Sequence, residues 1–152
     1  WNEPIQSGLD ASFFFMRACY AHMKGRGGKI INLSSGAGVR GVPGAGPYAA
    51  AKAGIDGLTR VAAIDWAGDN IQVNSIAPFA ISEGWEDFVA SLPEDQRDDP
   101  VAALKVSLPV AGRVGDAERD IGRAAVFLAS TDSDYITGHV LPVDGGMIEL
   151  RC

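Results

Sequence analysis

The sequence has little that would tie it to a membrane, a nucleic acid or an oxidised compartment. No apolar run reaches the roughly 18 residues that a spanning helix needs, so no membrane partner is expected. Thirteen Lys and Arg stand against 19 Asp and Glu, a formal net charge of −6, and no basic cluster occurs. Phosphate backbones are bound by clustered cations, so no nucleic-acid partner is expected either. The acidity itself reads as solubility. Only two cysteines are present, Cys19 and Cys152. Neither has metal-ligand spacing, and two thiols do not make a disulfide framework. Cys19 sits in an apolar helical pattern and is expected to be a buried thiol. A reduced, cytoplasmic setting is the matching expectation. His22 and His139 lack carboxylate or thiol partners at ligand spacing, so no metal site is expected. The opening WNEPIQSGLD has no Met and neither the basic region nor the apolar core of a signal peptide. The chain is therefore expected to begin inside a longer protein.

What is present is one domain's worth of alternating patterns. The 152 residues are 47% hydrophobic and 21% charged, ordinary values for a globular domain. Residues 2–24 suit a helix, with Ile5, Leu9, Phe13, Met16, Tyr20 and Met23 at near-helical spacing. Between Ser12 and Cys19 it is apolar nearly all round, which predicts a helix buried on most sides or placed in a subunit interface. The glycines of GRGG end it. Residues 29–33 read as a short buried strand, and 34–46 as a loop with Pro43 and several glycines. Pro47 opens a second helix that runs to about Ala67. Ile71–Ala77 reads as a second strand, stopped by Pro78.

Residues 79–111 are the least regular. Short helices are expected around Trp85–Leu92 and Val101–Val106, with the acidic PEDQRDDP between them as a solvated turn. Asp116 caps a third long helix, Ala117–Ser130. His139–Val143 forms a third strand, and Asp144–Gly145–Gly146 a turn. The order α-β-α-β-α-β implies a parallel sheet covered on both faces. Three strands alone leave an apolar edge beside Ile30–Leu33, where another strand is expected to pair.

The chemistry is concentrated between Ile30 and Gly54. Tyr48 and Lys52 are four apart on a helix and share a face. A free tyrosine side chain titrates only near pH ~10 and is a poor acid–base group at neutral pH, and a nearby ammonium favours its phenolate. Tyr-x-x-x-Lys is therefore a workable proton-transfer pair. Ser34 and Ser35 lie at the carboxyl end of the first strand, where ligands of parallel sheets bind. A hydroxyl there can donate to a carbonyl oxygen that gains charge. These considerations alone leave both serines open. The string GAGVRG spells a dinucleotide-binding loop but follows the serines and leads into a loop, so its context rejects that role.

The pieces GKIINLSSGAG, PYAAAKAGIDGLTR, NIQVNSIAP, DIGRAAVFLAS and YITGHVLPVDGG, in this order, resemble the short-chain dehydrogenase/reductase family. The resemblance covers the whole chain. It implies an α/β fold: the C-terminal half of a doubly wound parallel-sheet Rossmann fold, three strands with flanking helices. Residues 1–152 would be a partial domain lacking the N-terminal dinucleotide-binding half. The resemblance implies an oxidoreductase that uses NAD or NADP to reduce a carbonyl or oxidise a secondary alcohol. Tyr48 would be the general acid or base, Lys52 would hold the nicotinamide ribose and tune Tyr48, and Ser35, thirteen residues before Tyr48, would orient the substrate oxygen. Pro78, Phe79, Ala80, Ile81 and Ser82 match the family's cofactor-contacting segment. Ser35, Ala37 and Trp85 are the implied substrate contacts, with Phe88 in the same variable loop. A homodimer or homotetramer is implied as well. Two departures stand out: Phe79 replaces a Gly, and Gly8 replaces the Asn of a proton relay. A different reading is a non-catalytic fragment or subunit that needs another chain to complete its sheet. A lyase or dehalogenase relative would tend to lose the Lys, and Lys52 is present.

Overall fold

The computed structural model describes residues 1–99, 110 and 112–147. The expected helix at Val101–Val106 and the terminal Cys152 lie outside them.

The first helical stretch opens at Asn2–Pro4, widens to a π segment at Ile5–Asp10 and continues as α1, Ala11–Met23. A Cβ at Gly8 in the π segment would lie 3.7 Å from the Ala51 Cβ, an ordinary contact. Met16 is the one buried residue of α1, and with Tyr20 and Met23 it forms a stripe on the core. The rest of its apolar surface is bare: Phe13, Phe14 and Phe15 are exposed. Cys19 is exposed too, contrary to the expected buried thiol. It lies on the flank of the stripe, beside Ser12 and Phe15, along a groove at the outer edge of the first strand. No described residue covers that groove.

Strands β1 (Gly28–Leu33), β2 (Ile71–Pro78) and a short last strand, Val140–Val143, form a three-stranded sheet. All its pairs are parallel, with β2 in the middle, Ile30 opposite Val73 and Ser75 opposite Val140. The last strand starts one residue later than its pattern suggests. His139 is nonetheless half-paired: its N–H donates to Asn74 Oδ1 and its carbonyl accepts from Ser75. β2 is buried at Ile71 and from Val73 to Ala77, and half-buried at Gln72 and Pro78. Val73, Ile76 and Ala77 are buried there with Asn74 and Ser75, whose side chains donate to the Ile136 carbonyl and to Asp56.

Helix α3 (Gly46–Asp65) packs on one face of this sheet through Ala51, Ile55, Thr59, Ala62 and Ala63. Met16, Ala62, Ala63, Ile71 and Val73 form the core between α1, α3 and β2. α3 ends two residues before Ala67, where a 3-10 turn at Ala67–Asp69 is followed by Asn70 in the left-handed region at φ 55°. Asn tolerates that conformation better than most residues.

The expected loop at 34–46 contains a short helix, α2 (Gly36–Arg40). Its glycines hid it, because glycine is a poor helix former. One of them is required by packing: a Cβ at Gly38 would lie 2.8 Å from the Ala53 nitrogen, so α2 could not approach α3 with any other residue there. Past β2, Ala80–Ile81 (β3) pairs with Gly115–Asp116 (β4) in a two-residue parallel ribbon that the sequence pattern does not announce. Between them is α4, Glu83–Ser91. The expected helix from Ala117 is a π segment, Ala117–Gly122, running into α5, Arg123–Ala129. Asp116 caps it as expected, accepting from the Arg119 N–H at 2.6 Å. The last strand becomes β5. Gly145 and Gly146 both have positive φ in the turn that follows it.

Candidate active site

The carboxyl ends of β1 and β2 open into a cavity of about 580 Å³. Ser34, Ser35 and Ala37 line it from the end of β1 and the start of α2. Tyr48 enters from the first turns of α3, Pro78, Phe79 and Ala80 from the end of β2, and Trp85 and Phe88 from α4. Strand ends in a parallel sheet splay apart as the sheet twists, and this is where such a crevice forms.

The two serines are held differently. The Ser34 N–H extends the sheet ladder to the Ile76 carbonyl at 2.8 Å. Its side chain is buried, and its Oγ has no hydrogen-bond partner among the described residues. Ser35 leaves the ladder with φ −159° and becomes the cap of α2, its Oγ accepting from the Ala37 N–H at 3.2 Å. An oxygen that accepts there keeps its own proton to donate elsewhere.

Tyr48 is 43% exposed, high enough for a ligand to reach its hydroxyl. Lys52 lies one turn further along α3 and outside the cavity wall. Its Nζ donates to the Leu33 carbonyl at 2.8 Å and lies 5.6 Å from the centre of the Tyr48 ring. One of its three N–H donors is thus used, and two are left. Burial lowers the pKa of Lys52 below the ordinary 10.5, while the negative charge of Asp56 pulls it up by a smaller amount. Asp56 is a further turn along α3. It is buried, and its Oδ1 accepts from the Ser75 hydroxyl of β2 at 3.0 Å. Sequence reasoning passed over Asp56. Its signal was spacing: a carboxylate four residues beyond Lys52, on the face that α3 turns to the sheet.

Phe79 lies at the end of the ladder, its N–H donating to the Val143 carbonyl at 3.0 Å and its carbonyl accepting from Gly115 at 3.1 Å. Its ring stands edge-on to Trp85 at 5.3 Å, and Trp85 leans against Phe88 at 5.6 Å. Ser82 lines the cavity and caps α4, its Oγ accepting from the Trp85 N–H at 3.3 Å. Ile81 does not line the cavity: it is half exposed and pairs with Asp116 in the β3–β4 ribbon. Val42, Pro43, Ile121 and Met147 complete the wall, and sequence reasoning had not singled them out.

An ion pair braces the far side. Arg113 makes a two-pronged contact with Asp120, at 2.7 and 3.2 Å, and Asp120 also accepts from the Asp116 N–H at 2.7 Å. The Arg113 hydrogen bonds, then the Asp116 N–H, lower the Asp120 pKa to about 2. Among the described residues, no group of three or more His, Cys, Asp and Glu could hold a metal ion. No helix among them is long and apolar enough to cross a membrane.

Residues 1–148 match the family model described as Enoyl-(Acyl carrier protein) reductase. A 12alpha-hydroxysteroid dehydrogenase of a Clostridium species is 47% identical over 143 residues, which are 94% of this chain and 53% of that protein. The 3-oxoacyl-[acyl-carrier-protein] reductase FabG of Vibrio harveyi is 42% identical over 97% of this chain and 57% of its own length. The chain thus spans about half the length of the curated relatives it matches. Among solved structures, a putative short-chain alcohol dehydrogenase from Sinorhizobium meliloti superposes on 92% of this chain and 53% of its own, with a TM-score of 0.76 and 38% identity. An acetoin dehydrogenase from Enterobacter cloacae does so over 99% of this chain and 56% of its own, at a TM-score of 0.78 and 28% identity. With the parallel sheet, its flanking helices and the family match over nearly its whole length, the chain belongs to the short-chain dehydrogenase/reductase family and folds as part of a Rossmann domain.

Proposed function

We propose that the intact protein is an NAD- or NADP-dependent oxidoreductase, and that this chain supplies its acid–base half. Its substrate would be a small-molecule ketone or secondary alcohol. The phosphate-cradling half of the domain would lie outside these residues. The observation that carries the reading is the meeting of Ser34, Ser35 and Tyr48 on one cavity, with the Lys52 ammonium fixed 5.6 Å behind the Tyr48 ring.

The residues present fit the nicotinamide end of such a cofactor. Two N–H donors of Lys52 are left after the bond to Leu33, which suits a ribose with two hydroxyls. Tyr48 and Lys52 would hold that ribose, and the chain from Pro78 to Ser82, with the Ser82 hydroxyl and the peptide groups beyond β2, would flank the ring. When bound, the cofactor supplies or accepts the hydride. Ser35 donates a hydrogen bond to the substrate oxygen, keeping its proton, and orients it. Tyr48 gives its phenolic proton to that oxygen in reduction and takes it back in oxidation. The Lys52 ammonium favours the phenolate by charge.

The bare Phe13–Phe15 surface of α1 supports a homodimer or homotetramer, because apolar patches of this kind mark protein contacts. A cytoplasmic setting goes with the free thiol of Cys19. Tyr48→Phe tests the core of the reading. Turnover of a carbonyl substrate by the intact protein with NAD(P)H should fall by about 10²–10⁴-fold, the usual share of a general acid. Undiminished turnover would overturn the assignment.

A further inference from the structure

We propose that Asp56 and Ser75 form a positioning pair for the reaction at Tyr48. The Ser75 hydroxyl fixes the Asp56 carboxylate between α3 and β2, and that carboxylate supports the Lys52 ammonium one helical turn away. The inference rests on the functional reading above and adds to it two residues outside the cavity lining.

The first observation is a polar stripe. Tyr48, Lys52, Asp56 and Thr59 recur along α3 at helical spacing, so they follow one face of it. The sheet meets this stripe with polar groups of its own. Lys52 Nζ donates to the Leu33 carbonyl at 2.8 Å, the Ser75 hydroxyl to Asp56 Oδ1 at 3.0 Å, and the Asn32 amide to Thr59 Oγ1 at 2.9 Å. Asn32 lies opposite Ser75 and Leu33 opposite Ile76, so the ties fall on successive rungs of the β1–β2 ladder. The stripe runs from the core of the sheet to the cavity at Tyr48.

The second is its cost. Asp56 is 4% exposed and Ser75 0%. A buried carboxylate is disfavoured unless it is paired and hydrogen-bonded, and an apolar contact of similar shape would hold a helix to a sheet at least as well. Ala51, Ile55, Ala62 and Ala63 already serve that purpose for α3. Asp56 makes no salt bridge with a described residue. The cation nearest to it along this face is Lys52, whose own hydrogen bond goes to Leu33. A carboxylate kept there against the interest of packing calls for a functional explanation.

The third is that Asp56 acts on Lys52 alone. The first half of α3 packs on the π segment through Gly8 and Leu9, on α2 through Gly38, and on β1 and β2. The ionisable groups of those elements are Asp10 in the π segment, Glu3 just before it, Lys29 of β1 and Arg40 of α2, and β2 has none. Among them, and with Tyr48 on α3 itself, Asp56 is the one whose charge acts on Lys52, opposing the effect of burial. That charge depends on Ser75, because a hydroxyl donating to a carboxylate favours its ionised form. The Ser75 N–H goes to the His139 carbonyl, and the hydroxyl is left to serve Asp56.

The test is the pH profile of kcat/KM for the intact protein, with NAD(P)H and the best substrate of a ketone panel. Ser75→Ala should move the alkaline fall to lower pH by roughly half to one unit, the pull of one charge across a helical turn. Combined with Asp56→Asn, it should shift the fall no further than Asp56→Asn does alone, because Ser75 acts through the carboxylate. Thr59→Val cuts the neighbouring tie on the same face. It should lower the melting temperature and leave the profile in place. A Ser75→Ala profile that superposes on the wild type would overturn the inference while leaving the oxidoreductase reading intact. So would shifts that add in the double variant, or an equal shift in Thr59→Val, which would make docking of α3 the cause. If no ketone is turned over, the functional reading fails, and labelling of Lys52 with acetic anhydride across pH, read by mass spectrometry, still decides the pair. A lower labelling midpoint in Ser75→Ala and Asp56→Asn than in the wild type and Thr59→Val supports the inference, and one midpoint for all four proteins sinks it.

Discussion

Two cations, some way apart in the chain, are treated in opposite ways. Arg113 is exposed and fully occupied: both of its outer nitrogens lie on the Asp120 carboxylate, and that carboxylate takes a backbone N–H as well. The arrangement lowers the Asp120 pKa and raises that of Arg113, so both charges are favoured where they stand. Lys52 is partly buried and makes no salt bridge with any described residue. Its one hydrogen bond is to a neutral carbonyl, and burial makes its charge less favourable than in water. The first pattern braces a ribbon of backbone. The second keeps a poorly satisfied ammonium behind an accessible phenol. Shifted groups of both kinds occur in proteins, and partnering tells them apart: a charge held against the interest of stability calls for a functional explanation.

The sharpest way to break this comparison is Lys52→Met. The side chains are of similar length, so packing should survive. If Lys52 serves the reaction, kcat/KM of the intact protein should fall by about 10²-fold or more, the effect of losing a positioning group. The melting temperature should hold or rise, because a partly buried charge has been removed. In the wild-type protein the folded state binds the Lys52 proton less tightly than the unfolded chain does. Stability should therefore rise with pH from the lowered folded-state pKa up to the ordinary 10.5, and Lys52→Met should lose that rise. A variant whose melting temperature falls while its kcat/KM is kept would reverse the roles assigned to the two cations.

Much of this contrast was legible in the sequence, and the illegible part has physical causes. Tyr48 and Lys52 could be paired because helical spacing alone puts them on one face. β2 could be recognised because apolar residues alternate with polar ones at its start and Pro78 ends it. The Asp116 cap followed from residue type and position. Cys19 was misread because an apolar helix was expected to use all its surface within this chain, while only the Met16 stripe is covered. α2 was missed because Gly38 serves a contact with Ala53 on the next helix, and no local propensity records that. The β3–β4 ribbon joins Ile81 to Asp116 across a long insertion, and pairing at that separation leaves no periodic trace. Arg113 and Asp120 look like ordinary surface charges until the fold brings them together.

A smaller effect is expected from Asp56→Asn, which tests whether the carboxylate inside α3 matters to Lys52 or only to packing. The amide oxygen can still accept from the Ser75 hydroxyl, so the stability change should stay near ~1 kcal/mol. The charge is lost, however, and with it the pull that holds the Lys52 pKa up against burial. If the ammonium is the active form, the alkaline fall in kcat/KM should begin at a lower pH than in the wild type. A profile that stays in place would make Asp56 a packing residue only.

The smallest effect belongs to the fully satisfied pair. Asp120→Asn should leave kcat/KM at neutral pH unchanged, since Asp120 does not line the cavity and the Asn oxygen can still accept from Asp116. Its signature lies in acid. The Asp120 pKa is lowered from 3.8 to about 2 in the folded protein, so the unfolded chain takes up the proton first. The stabilisation is fully present above pH 3.8 and is lost as pH falls toward 2. Urea unfolding of both forms should show the wild type more stable at pH 6 and the gap closing in that window. Because the pair is exposed, added salt at pH 6 should narrow the gap as well. A gap that survives both acid and salt would mean that the carboxylate braces the ribbon by shape and not by charge, and the contrast with Lys52 would have to be drawn on packing alone.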